Sequence, residues 1–115
     1  MINRFYLLAC LAPLAISASS FHAAALMNTD QLQSICAAGL ADPTKENPRF
    51  AYCTGLMIGL LMADALEQNR ICVPEDLDTK SGLKTFLMRS AIEKDKDIEG
   101  TVTMFRAFSE KYPCK

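Results

Sequence analysis

Histidine is almost absent from this 115-residue chain. The single one, His22, lies in an apolar N-terminal stretch, so the remainder has neither the usual general base nor the commonest metal ligand. A basic excess is missing too, since 12 Lys+Arg stand against 13 Asp+Glu for a formal net charge of -1, which argues against a nucleic-acid surface. Strand-like alternation, internal repeats, paired catalytic carboxylates and glycine-rich phosphate loops are also missing. These absences speak against an enzyme, and no cofactor or metal is expected.

What is present begins with MINRFYLLACLAPLAISASSFHAAALMNTD. Arg4 supplies a short positive region, Phe5 to Ile16 an apolar core, and Ala23-Ala24-Ala25 a small-residue cleavage site, which is the layout of a secretory signal peptide. As an uncleaved anchor the core would be short for a span of roughly twenty residues, and it contains Pro13. Leu7-Leu8-Ala9-Cys10 imitates a lipoprotein processing box, but too few residues precede Cys10. Residues 1–25 are therefore expected to be removed on export to the periplasm, leaving residues 26–115 as one helical domain. Removing 25 of 115 residues leaves 90, and the loss of Arg4 reduces 12 basic residues to 11 against 13 acidic ones, a net charge of -2.

Four cysteines remain after that cut: Cys36, Cys53, Cys72 and Cys114. In a small exported chain with a marginal core, an even number argues for two disulfides, and four cysteines allow three pairings. Apolar periodicity predicts four helices. They cover about Asn28 to Gly39, Arg49 to Asn69, Thr79 to Glu93 and Lys96 to Tyr112. Thr79 is the expected N-cap of the third helix. The expected buried residues are Leu32, Ile35 and Cys36 in the first helix, Leu83, Phe86, Leu87 and Ala91 in the third, and Ile98, Val102, Phe105, Phe108 and Tyr112 in the fourth. Cys53 and Cys72 lie near opposite ends of the second helix, where roughly sixteen helical residues span about 24 Å. A disulfide needs Cα atoms within about 7 Å, so these two cannot pair. With the first two helices antiparallel, Cys36 sits beside Cys53 and far from Cys72. The pairing left is Cys36–Cys53 with Cys72–Cys114, and it suits an all-α, up-down four-helix bundle.

The run YCTGLMIGLLMADAL, from Tyr52, is apolar on every side and is broken only by Asp64. Its length, and the placing of Cys53 and Cys72 at opposite ends of the second helix, argue against a membrane span, so it is expected to be the rod around which the other helices pack. Gly55, Gly59 and Ala63 make one side smooth. Any uncovered side would form an apolar patch, for which a second copy of the chain is the expected partner. Leu56, Leu60 and Leu61 are the candidate dimer residues.

The ordered set of Cys36, YCTGLMIGLLMADAL, ICVP at 71–74 and KYPC at 111–114 resembles the Tai-type immunity family of type VI secretion. The resemblance covers about Leu32 to Cys114. It implies a small periplasmic helical protein, often homodimeric, that inhibits an injected peptidoglycan amidase by placing a loop in its cleft. Many relatives carry a proline between helices three and four, whereas this chain reads RSAIEKDKDIEG, so that connection is either extended helix or a remodelled loop.

Two connections are candidate partner-binding sites. Asp42, Thr44, Lys45, Glu46 and Asn47 lie in a loop stiffened by Pro43 and Pro48 and stapled at its base by Cys36–Cys53. Glu93, Asp95, Asp97 and Glu99 form a mixed-charge second candidate. Both have the ordinary reading of solvated connectors. Asp64 is expected to cap nearby backbone or pair with a basic side chain. A small periplasmic acid-stress chaperone is the alternative function.

Overall fold

A computed structural model describes residues 27–115; the proposed signal peptide, residues 1–25, lies outside them. Among the described residues four helices follow in order: α1 (Thr29–Ala41), α2 (Pro48–Glu67), α3 (Thr79–Ile92) and α4 (Gly100–Lys111). No strand occurs among the described residues. Both expected disulfides are formed, with Cα–Cα distances of 5.7 Å for Cys36–Cys53 and 5.0 Å for Cys72–Cys114.

Local chemistry sets the helix starts. Asn28 and Gln31 form a capping box on α1, and the remaining free N–H groups there find partners in the segment before α4, with Thr29 N donating to Ile98 O (2.7 Å) and Asp30 N to Lys96 O (3.3 Å). Those carbonyls are turned toward α1, and α4 starts at Gly100 rather than near Lys96, so the connection is a remodelled loop. Asn47 caps α2, with Pro48 at its first position. On α3 the cap is Asp78, whose carboxylate accepts from Ser81 N at 2.7 Å, and Thr79 becomes the first helical residue. Of two adjacent capping residues, the carboxylate takes the place because its charge also favours the positive end of the helix.

The ends of the bundle are not aligned. Asn28 bridges Glu99, placing the starts of α1 and α4 side by side, while Ile71 bridges Pro113 where α2 and α4 finish. Helix α4 is thus displaced along the bundle, reaching from the beginning of α1 to the end of α2. Gly100 allows its close start, because a Cβ there would lie 2.7 Å from a Leu32 methyl. Gly39 does not stop α1 as expected. It sits inside the helix at the α1/α2 crossing, where a Cβ would meet the Phe50 backbone at 2.9 Å.

Leu32, Cys36, Cys53, Met57, Ile71, Leu83, Phe86, Met104 and Phe108 form the core. The fourth helix buries a different stripe from the expected one. Phe108 is fully enclosed, but Val102 is exposed, Ile98, Phe105 and Tyr112 are half-buried, and Thr103, Met104 and Ala107 face inward. The later start and a 2.7 Å hydrogen bond between the hydroxyls of Thr29 and Thr103 fix that rotation. Ala91, expected inside α3, is exposed, and Ser90 is buried instead.

The largest departure concerns α2. It is not a rod enclosed by the others: only Cys53, Met57 and Asp64 are buried along its twenty residues. Three amphipathic helices of 12 to 14 residues cover one side of it, and among the described residues nothing covers the opposite side.

Candidate functional site

The first candidate loop joins α1 to α2. Thr44 N donates to Asp42 O (2.9 Å) and Asn47 N to Thr44 O (3.1 Å), closing two consecutive turns. Asn47 then ties the loop together: its side-chain amide donates to Asp42 O (2.8 Å) and Gly39 O (3.4 Å), while its carbonyl oxygen accepts from Arg49 N (3.1 Å). Asn47 is a structural member of the loop, and Asp42, Thr44, Lys45 and Glu46 are its exposed face. The Cys36–Cys53 disulfide, wholly buried, lies below this turn. The result is a small, charged, preorganised protrusion.

The second candidate loop is committed to holding the fold. Glu93 accepts from Arg89 (3.1 Å), and Arg106 lies 3.8 Å away. Lys96 donates to Gln33 Oε1 (3.2 Å) and to Ser90 O, joining α1 to the end of α3. Asp95 accepts from Asp97 N, and Glu99 from the Thr101 hydroxyl. The exposed carboxylates of Asp95, Asp97 and Glu99 remain at the surface, but Glu93 is engaged within the chain.

The Glu93 carboxyl is held below its ordinary value, first by the Asp95 N–H donating to it and then by Arg89 and Arg106. A depressed folded-state pKa means that the unfolded chain binds the proton more readily, so this group stabilises the fold above its unfolded value of about 4.3. That contribution is lost as pH falls through the lower folded value. Glu93→Gln is therefore expected to flatten the acid side of the stability profile between about pH 5 and pH 3. Thermal melts across that range check it, and superimposable pH profiles would rule out the assignment.

Among the described residues, the outer side of α2 is the surface left uncovered. Tyr52 (43% exposed), Ile58 (46%), Met62 (61%) and Leu66 (85%) project from its outer side. Beside them, Gly55, Leu56, Gly59, Leu60 and Ala63 floor a groove of 390 Å³ whose far wall is Thr101 and Phe105 of α4. The three expected dimer residues are all half-buried against the core: Leu56 and Leu60 line this groove, and Leu61 does not. Sequence reasoning marked Gly55, Gly59 and Ala63 as a smooth side but did not set the ridge of Ile58, Met62 and Leu66 apart, because a helix apolar all round carries no directional signal.

Asp64, 5% exposed, lies at the inner edge of the same groove, beside Glu67 and Gln68. Its carboxylate accepts from Arg70 N (3.1 Å) and Ile71 N (2.9 Å), so it caps backbone as expected. The turn it organises passes through Asn69, at φ 50, and delivers Cys72 to Cys114. Tyr112 packs on Phe108, with ring centroids 6.4 Å apart.

Among the described residues no group of three or more His, Cys, Asp or Glu is placed to hold a metal ion. Comparison with family models, curated proteins and solved structures finds no match for this chain.

Proposed function

We propose that this chain is an exported binding protein that acts by occlusion: it inserts the α1–α2 loop into the cleft of a peptidoglycan amidase and protects the cell that makes it. The observation that carries this reading is the build of the loop. Four exposed residues, Asp42, Thr44, Lys45 and Glu46, stand on a base closed by a disulfide and by the Asn47 side chain. Such a plug loses little conformational freedom on binding, where a flexible loop would lose about 0.5–1.5 kcal/mol for each long side chain immobilised. The resemblance to Tai-type immunity proteins supplies the partner class, and the disulfides suit an oxidising compartment such as the periplasm.

Replacing Thr44, Lys45 and Glu46 together by glycine and serine, with Asn47 kept as the α2 cap, is expected to weaken inhibition by roughly tenfold or more, with helicity and both disulfides unchanged. The measurement is inhibition of an amidase of the cysteine-peptidase class from the same genome. Unchanged inhibition would move the contact to Asp95, Asp97 and Glu99.

One observation favours a second reading. The apolar side of α2 is open without any unfolding, as a holding surface for unfolded clients would be. Suppression of client aggregation at acidic pH, together with no affinity for any amidase of its genome, would select that chaperone reading.

Helix α2 is also long and apolar enough, at 20 residues and mean hydropathy 1.4, to cross a bilayer. Disulfides join it to α1 and to the end of α4, and its Asp64 is held inside the domain. Those ties favour a helix that stays with its bundle.

A further inference from the structure

We infer that Cys72–Cys114 is a thiol-exchange site, at which a protein dithiol reduces the bond by attack on Cys72 while the chain stays folded and Cys36–Cys53 stays closed. This does not rest on the amidase reading, because the site lies at the end of α2 opposite the α1–α2 loop.

The two disulfides differ in access. Cys36 and Cys53 are wholly buried in the core, whereas Cys72 is exposed and Cys114 half-buried at the surface. Exchange requires a thiolate to reach a sulfur, so exposed bonds are the labile ones and enclosed bonds resist. The inner bond is reached only when the core opens.

Reduction of the outer bond leaves the segments it joins in place. Cys72 N donates to Tyr112 O (2.8 Å) and Cys114 N to Arg70 O (3.1 Å), and Ile71, beside Pro113, is buried in the core. The Asp64 carboxylate holds the turn by accepting from Arg70 N and Ile71 N, and Phe108 anchors α4 from within. None of these contacts needs the sulfur–sulfur bond. Charge favours the exchange as well, since Arg70, two residues before Cys72 and bonded through its carbonyl to Cys114 N, takes part in no ion pair among the described residues. A guanidinium there stabilises the departing thiolate.

In the first step a thiolate of the partner attacks the Cys72 sulfur, forming a mixed disulfide and expelling Cys114 as a thiolate, which takes up a proton. The partner's second thiol then loses its proton and attacks the partner's own sulfur in the mixed disulfide, releasing Cys72, which is protonated in turn. Two electrons have passed to the outer bond. The partner ends as a disulfide and the chain with two thiols. The end of α4 and the turn at residues 70–74 lose their covalent tie, while the base of the α1–α2 loop keeps its own.

The test uses the protein as the cell exports and processes it, with both bonds formed. Native protein is incubated with dithiothreitol and quenched with iodoacetamide, and the labelled cysteines are located by peptide mass spectrometry. Cys72 and Cys114 are expected to be labelled together, on the order of a hundredfold faster than Cys36 and Cys53, with the difference vanishing in denaturant. The species reduced at the outer bond alone should keep its helicity and melt lower by about 10 °C or more. Cys72→Ala combined with Cys114→Ala should reproduce that melt with the inner pair still unlabelled. Thioredoxin lacking its second active-site cysteine, used as the protein dithiol, is expected to be captured on Cys72. Equal labelling of the two pairs in the native protein would overturn the inference, as would loss of helicity when the outer bond alone is reduced. Capture on Cys114 would overturn Cys72 as the attacked sulfur, and no capture would overturn a protein dithiol as the reductant.

Discussion

Replacing Phe108 by alanine is expected to lower the free energy of unfolding by about 3–5 kcal/mol. Phe108 is fully enclosed, packs on Tyr112, and extends its ring tip toward Gly82 of α3, where a Cβ would come within 3.6 Å of it. Truncation there removes the wedge between α3 and α4, and the gap cannot collapse because the α4 end is tied to Cys72. At about 0.05–0.15 kcal/mol per residue, a domain of this size has only about 4–13 kcal/mol in all, so the variant should be near the edge of folding. Equilibrium denaturation monitored by helicity measures the effect. A loss below about 1 kcal/mol would mean that α4 is not docked through Phe108.

The second large effect is expected at the inner disulfide. Cys36 and Cys53 are both fully buried and close a loop of sequence separation 17, for which the chain-entropy estimate is about 3 kcal/mol. Replacing both by alanine should therefore cost about 3 kcal/mol and also loosen the α1–α2 loop, whose base the bond closes. The outer bond, at sequence separation 42, has the larger entropic estimate of about 4 kcal/mol, but Cys72 is exposed and its removal opens no core cavity. Denaturation of the two double-alanine variants side by side provides the comparison. Proteolysis within residues 42–47 should rise only when Cys36 and Cys53 are lost. Equal cleavage in both variants would separate loop rigidity from the inner staple.

The four helices and both disulfides were legible because they depend on short-range rules. Apolar residues recur at helical spacing, Pro48 and Pro113 bound helices, and a helix too long to bring Cys53 to Cys72 leaves one workable pairing. That Asp64 must find donors was legible, because a carboxylate in an apolar run needs them, but the choice of backbone N–H groups over a basic side chain was made by the turn at Arg70 and Ile71. Less legible were the loops. Asn47 and Glu93 were expected as candidate partner contacts, yet the Asn47 amide holds the turn and two arginines approach Glu93. Arg89 stands at the helical i,i+4 offset from Glu93 and was readable in sequence, whereas Arg106 and the backbone carbonyls that the Asn47 amide reaches are brought close only by the fold.

By itself, then, the sequence determined the helical class, the cysteine pairing, and the lack of histidine chemistry beyond His22, since these follow from composition and from distances measured along one helix. Only the tertiary structure decided which side of α2 is covered. An all-round apolar helix gives no directional signal, and its neighbours' positions depend on the displaced α4, which is fixed by long-range contacts: Thr29 with Thr103, Gly100 against Leu32, and Ile71 beside Pro113. With α4 held there, Leu56 and Leu60 turn toward the groove, and Tyr52, Met62 and Leu66 are left facing solvent.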